Sequence, residues 1–148
     1  MQSKGRVLVT GGTGFIGTEL VEQLYVKGYE ITILDRADKS IGLDHVKYIK
    51  GDLSNAARCV MACANQDYVI HLAAKARIPE SFINPDEYFD SNVVGSRNIL
   101  TAASAVGVRK FVYAGSSSVY GNNTAPNKPN HKPDPLNYYA MSKLFGEH

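Results

Sequence analysis

Apolar and polar positions along this chain follow two rhythms that alternate. Short β-branched runs read as buried strands: residues 6–10 (RVLVT), 30–34 (EITIL), 46–50 (VKYIK), 68–72 (YVIHL) and 110–114 (KFVYA). Between the first two, residues 15–26 carry apolar side chains at helical spacing, with Ile16, Leu20 and Leu24 on one stripe, and Gly28 is placed to stop that helix. Ser54 is placed to cap a second helix reaching about Ala64. Residues 86–106 predict one long helix, and a last helix carries Tyr139 and Lys143.

Strands alternating with helices at this spacing predict a parallel sheet covered on both faces. Right-handed crossovers and a glycine turn after the first strand favour the strand order 3-2-1-4-5, a Rossmann-type doubly wound α/β fold. The whole chain, 1–148, reads as one such domain. Residues 122–135 are the one shift in composition, a loop holding Pro126, Pro129, Pro133 and Pro135. Asn122-Asn123-Thr124 matches a glycosylation sequon, read here as a chance match without a secretory signal.

Composition narrows the picture modestly. The 148 residues are 44% hydrophobic and 20% charged, and 16 basic against 14 acidic residues leave a net charge of +2. That balance argues against a nucleic-acid or membrane surface. No apolar run approaches the ~20 residues of a membrane span, and the N-terminus lacks a signal-peptide layout, so the expected location is cytoplasmic. Cys59 and Cys63 stand four apart on a predicted helix; without a CxxC or a histidine cluster they read as free thiols rather than metal ligands.

The chemistry is concentrated in two motifs. Residues 10–17 read TGGTGFIG, following a strand and opening a helix. Gly11, Gly14 and Gly17 permit a tight turn, close backbone approach to a pyrophosphate, and close packing of helix on strand. The helix start at Phe15 and Ile16 offers free N–H groups and a partial positive charge to phosphates. Asp35 closes the second strand, where a carboxylate accepts ribose hydroxyls and repels a 2′-phosphate, so NAD is expected rather than NADP. Arg36 pulls the other way, because a guanidinium there can pair with that phosphate. Asp52 and Leu53 end the third strand, where an adenine ring would lie. In the second motif, Tyr139 and Lys143 are i and i+4 on one helix face. A free phenol titrates near ~10, and an adjacent ammonium favours its anion. Ser116, near the end of the fifth strand, can hydrogen-bond the same substrate hydroxyl.

With these motifs the chain resembles the extended short-chain dehydrogenase/reductases, and among them the nucleotide-sugar epimerases. The likeness includes His71-Leu-Ala-Ala74, Asn92-Val-Val-Gly95, Ser116-Ser-Ser-Val-Tyr-Gly121 and Tyr139-x-x-x-Lys143. The resemblance implies a catalytic set of Ser116, Tyr139 and Lys143. It implies cofactor contacts at Leu72, Ala73, Ala74, Lys75 and Asn92 as well as at Tyr139 and Lys143, and substrate contacts at Ser116, Ser117 and Arg77. Residues 73–81 (AAKARIPES) are similar in layout to UDP-N-acetylglucosamine and UDP-glucuronate 4-epimerases. Ser117-Ser118 stand where dehydratases carry Asp-Glu, which argues against dehydration. Tyr138 replaces the family's proline; Tyr139 alone has a lysine at i+4, so Tyr138 reads as packing. The implied activity is an NAD-dependent UDP-sugar 4-epimerase working through a transient 4-keto sugar. A reductase or dehydrogenase, a decarboxylase and a non-catalytic NAD-binding sensor share the same motifs. Family members continue for about as many residues again, through a sugar-binding domain. The chain is therefore expected to be the N-terminal part of a longer enzyme, without turnover of its own. A homodimer of that enzyme is expected to use residues 86–106 and the Lys143 helix.

Overall fold

Five strands, β1 (Arg6–Thr10), β2 (Glu30–Asp35), β3 (Lys47–Lys50), β4 (Tyr68–His71) and β5 (Lys110–Tyr113), form one parallel sheet in the order β3-β2-β1-β4-β5. The structure is a computed structural model describing residues 3–38, 41–123 and 126–148. Thr124, the third residue of the sequon, lies outside the described residues. The predicted strand order is the observed one. Thr10 pairs in register with Leu34 on one side and His71 on the other, so the strand ends that carry the motifs share one rim.

Both faces of the sheet are covered, which is why its central strands are apolar at nearly every position. Leu8, Leu34 and Val69 meet Cys59, Ala62 and Cys63 of α2 (Ala56–Cys63) and Ile99, Ala102 and Ala103 of a later helix. Val7, Val9, Ile31 and Ile33 pack on the opposite side against Val21, Leu20 and Leu24 of α1 (Phe15–Val26). Ile16 does not join that stripe. It is exposed at the first turn, and Gly17 and Val21 are the buried residues of α1. Gly28 ends α1 with φ +83, as expected of a helix stop. Both cysteines are buried free thiols, with burial raising Cys59 to about 11 and Cys63 to about 12.

The helical predictions need three corrections. Asn55, not Ser54, caps α2, accepting from Arg58 N at 3.1 Å, because the helix begins one residue later than predicted, at Ala56. The long helix is interrupted: Pro85, which lacks an N–H, opens α4 (Pro85–Phe89), a π-helical turn follows at Asp90–Val94, and α5 is Gly95–Ala105. A short helix not anticipated, α3 (Ile78–Ile83), precedes it, and a 3₁₀ turn occupies Ser117–Tyr120. The chain ends on α6 (Tyr138–Glu147), packed against α3, α4, the π-helical turn and the 3₁₀ turn. Among the described residues no helix is long and apolar enough to cross a membrane.

Candidate active site

The turn from β1 into α1 is built so that no side chain stands in it. Gly11 has φ +71 and donates its N–H to Leu34 O at 3.0 Å; a Cβ there would sit 2.8 Å from Ala73 backbone atoms. A Cβ on Gly17 would overlap the Gly11 carbonyl oxygen and lie 2.7 Å from Gly12 Cα. Gly14 caps α1 without a side-chain hydrogen bond, so the first-turn N–H groups keep their capacity for an anion.

Beside this turn opens a cleft of about 380 Å³. Gly11, Thr13, Gly14 and Asp35 form one wall, Arg36, Asp52 and Leu53 another, and Leu72, Ala73 and Ala74 the side toward β4. Asp35 is held rigidly. Its Oδ2 accepts from Thr13 N at 3.1 Å and Thr13 Oγ1 at 2.8 Å, and its Oδ1 accepts from Ala37 N at 3.1 Å. Carboxylate lone pairs still face the cleft, since three donors do not saturate two oxygens. Arg36 points across to Asp52, with Nη1 3.6 Å from Oδ2. Burial alone would raise the Asp52 carboxyl, but the Ser54 hydrogen bonds and the Arg36 charge together hold it below the usual range. The residues suit a dinucleotide: an open helix start for the pyrophosphate, a fixed carboxylate for a ribose and a gap that only missing Cβ atoms leave open.

The tyrosine motif lies at the same rim but outside that cleft. Tyr139 is half-buried, its ring edge-on to Tyr88 at 6.5 Å. Lys143 is only 4% exposed, and its ammonium sits 4.2 Å from the centre of the Tyr113 ring. Burial pushes this lysine down to about 8, partly offset by Glu147. Ser116 caps the 3₁₀ turn, its Oγ accepting from Ser118 N at 3.2 Å, and Ser117 follows it exposed. Among the described residues no hydrogen bond yet joins the Ser116, Tyr139 and Lys143 side chains. Tyr138 packs on Phe82 with rings 5.9 Å apart, as its packing assignment expects.

Asn92 links the two halves. Its Oδ1 accepts from Lys75 N at 2.8 Å, and its Nδ2 donates to Lys75 O and to Ser142 Oγ, both at 2.9 Å. Both amide donors are spent on a brace between the β4 loop and α6, so the side chain has no donor left for a cofactor. Lys75 likewise gives its ammonium to Glu87 and, at 3.7 Å, to Glu80, and it does not line the cleft. Phe15, 99% exposed, and Ile16 flank a shallow hollow at the head of α1 rather than the cleft. Arg77 is exposed at the start of α3, and its carbonyl accepts from Tyr88 Oη at 2.6 Å.

Three contributors escaped the sequence reading. Thr13 sits unremarked inside the glycine motif, yet it fixes Asp35. Tyr88, in an acidic segment, and Tyr113, in a strand, belong to no motif. His71, of the His71-Leu-Ala-Ala74 motif, is buried between Thr10 Oγ1 at 2.6 Å and Ser96 Oγ at 2.9 Å, and burial followed by the Lys143 charge pushes it down to about 3.

Known proteins agree with this geometry. UDP-glucose 4-epimerase from Klebsiella pneumoniae is 36% identical over 129 aligned positions, covering 79% of this chain and 93% of its own. UDP-glucose 4-epimerase 3 of Oryza sativa subsp. japonica is 35% identical over 158 positions, 95% of this chain but 42% of the rice protein. The crystal structure of UDP-glucose 4-epimerase from Brucella ovis in complex with NAD superposes with a TM-score of 0.91 at 30% identity, covering 97% of this chain and 46% of that one. The chain thus spans less than half the length of the rice and Brucella proteins. Residues 7–148 match the NAD dependent epimerase/dehydratase family. With the glycine turn, the Asp35 cleft and the Tyr139–Lys143 helix face assembled on one rim, the chain belongs to the NAD-dependent epimerase/dehydratase family.

Proposed function

We propose that this chain is the NAD-holding and proton-transferring part of a UDP-sugar 4-epimerase. One observation carries the reading: a buried lysine, pushed down to about 8, stands one helical turn from Tyr139 at the rim that also holds the Asp35 cleft. The free N–H groups at the start of α1 would hold the pyrophosphate, and Asp35 would accept from the adenosine ribose. Bound NAD supplies a hydride acceptor that returns what it takes. Tyr139 removes the proton from the sugar C4 hydroxyl, and Ser116 bonds the same oxygen and passes the proton. Lys143 stabilises the phenolate by its charge. When the 4-keto sugar has turned its other face to the cofactor and taken the hydride back at C4, Tyr139 returns the proton to the C4 oxygen, so the sequence closes without net consumption of cofactor.

Residues beyond this chain are needed to hold the sugar nucleotide. Exposed apolar side chains on residues 86–106 and on α6, among them Phe89, Leu100, Met141 and Phe145, support a homodimer of the longer protein through those two elements. The test is the full-length gene product with UDP-glucose. Formation of its C4 epimer with no net NADH supports the reading. Stoichiometric NADH production or consumption makes it a dehydrogenase or reductase, and carbon dioxide release from a UDP-uronate makes it a decarboxylase.

A further inference from the structure

Lys143 has an unusual seat for a buried ammonium. Among the described residues no carboxylate lies within ion-pair distance of its Nζ. Its close neighbour is the face of Tyr113, 4.2 Å from the ring centre. Tyr113 is itself fixed at both ends. Its hydroxyl donates to Lys143 O at 3.3 Å, where Gly146 makes room: a Cβ on Gly146 would overlap Tyr113 Oη and lie 2.6 Å from Cζ. Its ring leans on His71 at 5.7 Å.

We propose that Tyr113 is a positioning residue for Lys143, its ring face seating the ammonium while its hydroxyl ties the same lysine's carbonyl on α6. A carboxylate in that place would neutralise the charge that Tyr139 needs. A π face attracts the ammonium while leaving it a net positive charge. The ring and the imidazole against it are uncharged, and Glu147, whose charge raises the lysine, lies beyond ion-pair distance. Burial, then Glu147, pushes the Tyr113 phenol up to about 12, so it remains an uncharged ring, and His71 stays uncharged for the reasons given above. The titratable groups around the ammonium are His71 on β4, Tyr113 on β5, and Tyr139 and Glu147 on α6. Glu80 and Glu87, on the helices packed against α6, turn to Lys75 instead. The role assigned to Lys143 rests on the epimerase reading; the seat itself does not.

The experiment follows the Lys143 Cε resonance of the full-length protein against pH, with Lys143→Met to assign it, beside the pH profile of turnover. Tyr113→Leu removes the ring and is expected to lower the Lys143 midpoint by about one pH unit, with kcat falling and KM little changed. Tyr113→Phe keeps the ring and is expected to hold the midpoint near the wild-type value. A midpoint in Tyr113→Leu that is unchanged or raised overturns the proposal. If that variant does not fold, Gly146→Ala decides, since its methyl displaces the Tyr113 ring: a lowered midpoint supports the seat and an unmoved one overturns it. Because the resonance is read without substrate, failure of the seat is distinct from failure of the epimerase reading.

Discussion

Replacing Lys143 by methionine should make the protein more stable while removing its proton-transfer chemistry. The side chain is almost fully buried, and its folded value of about 8 lies well below the ordinary 10.5. That difference corresponds to about 3 kcal/mol against the folded state whenever the lysine is charged in both states. Methionine fills the same volume without the charge but gives up the ring contact, itself worth about 1–2 kcal/mol when desolvated. The net gain at pH 7 is therefore about 1–2 kcal/mol, or about 3–6 °C in Tm for a chain of this size. The sign of the pH dependence follows from proton counting. Between pH 8 and 10.5 the unfolded chain binds more protons than the folded one, so wild-type stability rises with pH through that window. Lys143→Met should lose this rise and be nearly flat there. Urea unfolding at several pH values reads both effects, with an unchanged slope showing that the denatured state is unaltered. A variant less stable than wild type at pH 7, or one that keeps the alkaline rise, would refute the reasoning that burial sets the state of Lys143.

Other perturbations separate the parts of the site. Gly17→Ala forces a methyl against the Gly11 carbonyl; calorimetry should show NAD binding lost, and thermal unfolding a cost of about 1–3 kcal/mol. Asn92→Ala removes three hydrogen bonds between the β4 loop and α6 and should cost about 2–4 kcal/mol in urea unfolding. His71 is held neutral in the fold, so stability should be intact above about 6.5 and fall as pH drops below it; its ring resonances at pH 5 should still report the neutral imidazole. Tyr139→Phe in the full-length enzyme should keep NAD affinity while turnover falls by about 10²–10⁴-fold.

The sheet was legible in the sequence because a parallel strand buried on both faces is an uninterrupted apolar run, as in residues 6–10 and 30–34. The glycine turn was legible because its residues answer to backbone crowding, which leaves few alternatives at Gly11 or Gly17. The helix over residues 86–106 was less so. Apolar spacing does not distinguish an α turn from the π-helical turn at Asp90–Val94, which is fixed by what Asn92 must reach across the fold. The resemblance implies cofactor contacts at Asn92 and Lys75, but their donors brace the fold, a fact set by distant partners in Ser142 and Glu87. Tyr113 carried no signal at all: its importance comes from facing Lys143, 30 residues away in sequence.

The central claim is that the Asp35 cleft is an NAD site, and the most direct measurement is calorimetric titration of the protein with NAD and, separately, with NADP. NAD should bind at least about tenfold more tightly, a difference of about 1.4 kcal/mol, because Asp35, fixed by Thr13, meets a 2′-phosphate with like charge while Arg36 is turned to Asp52. Tighter binding of NADP, or no binding of either by a folded protein, would contradict the account.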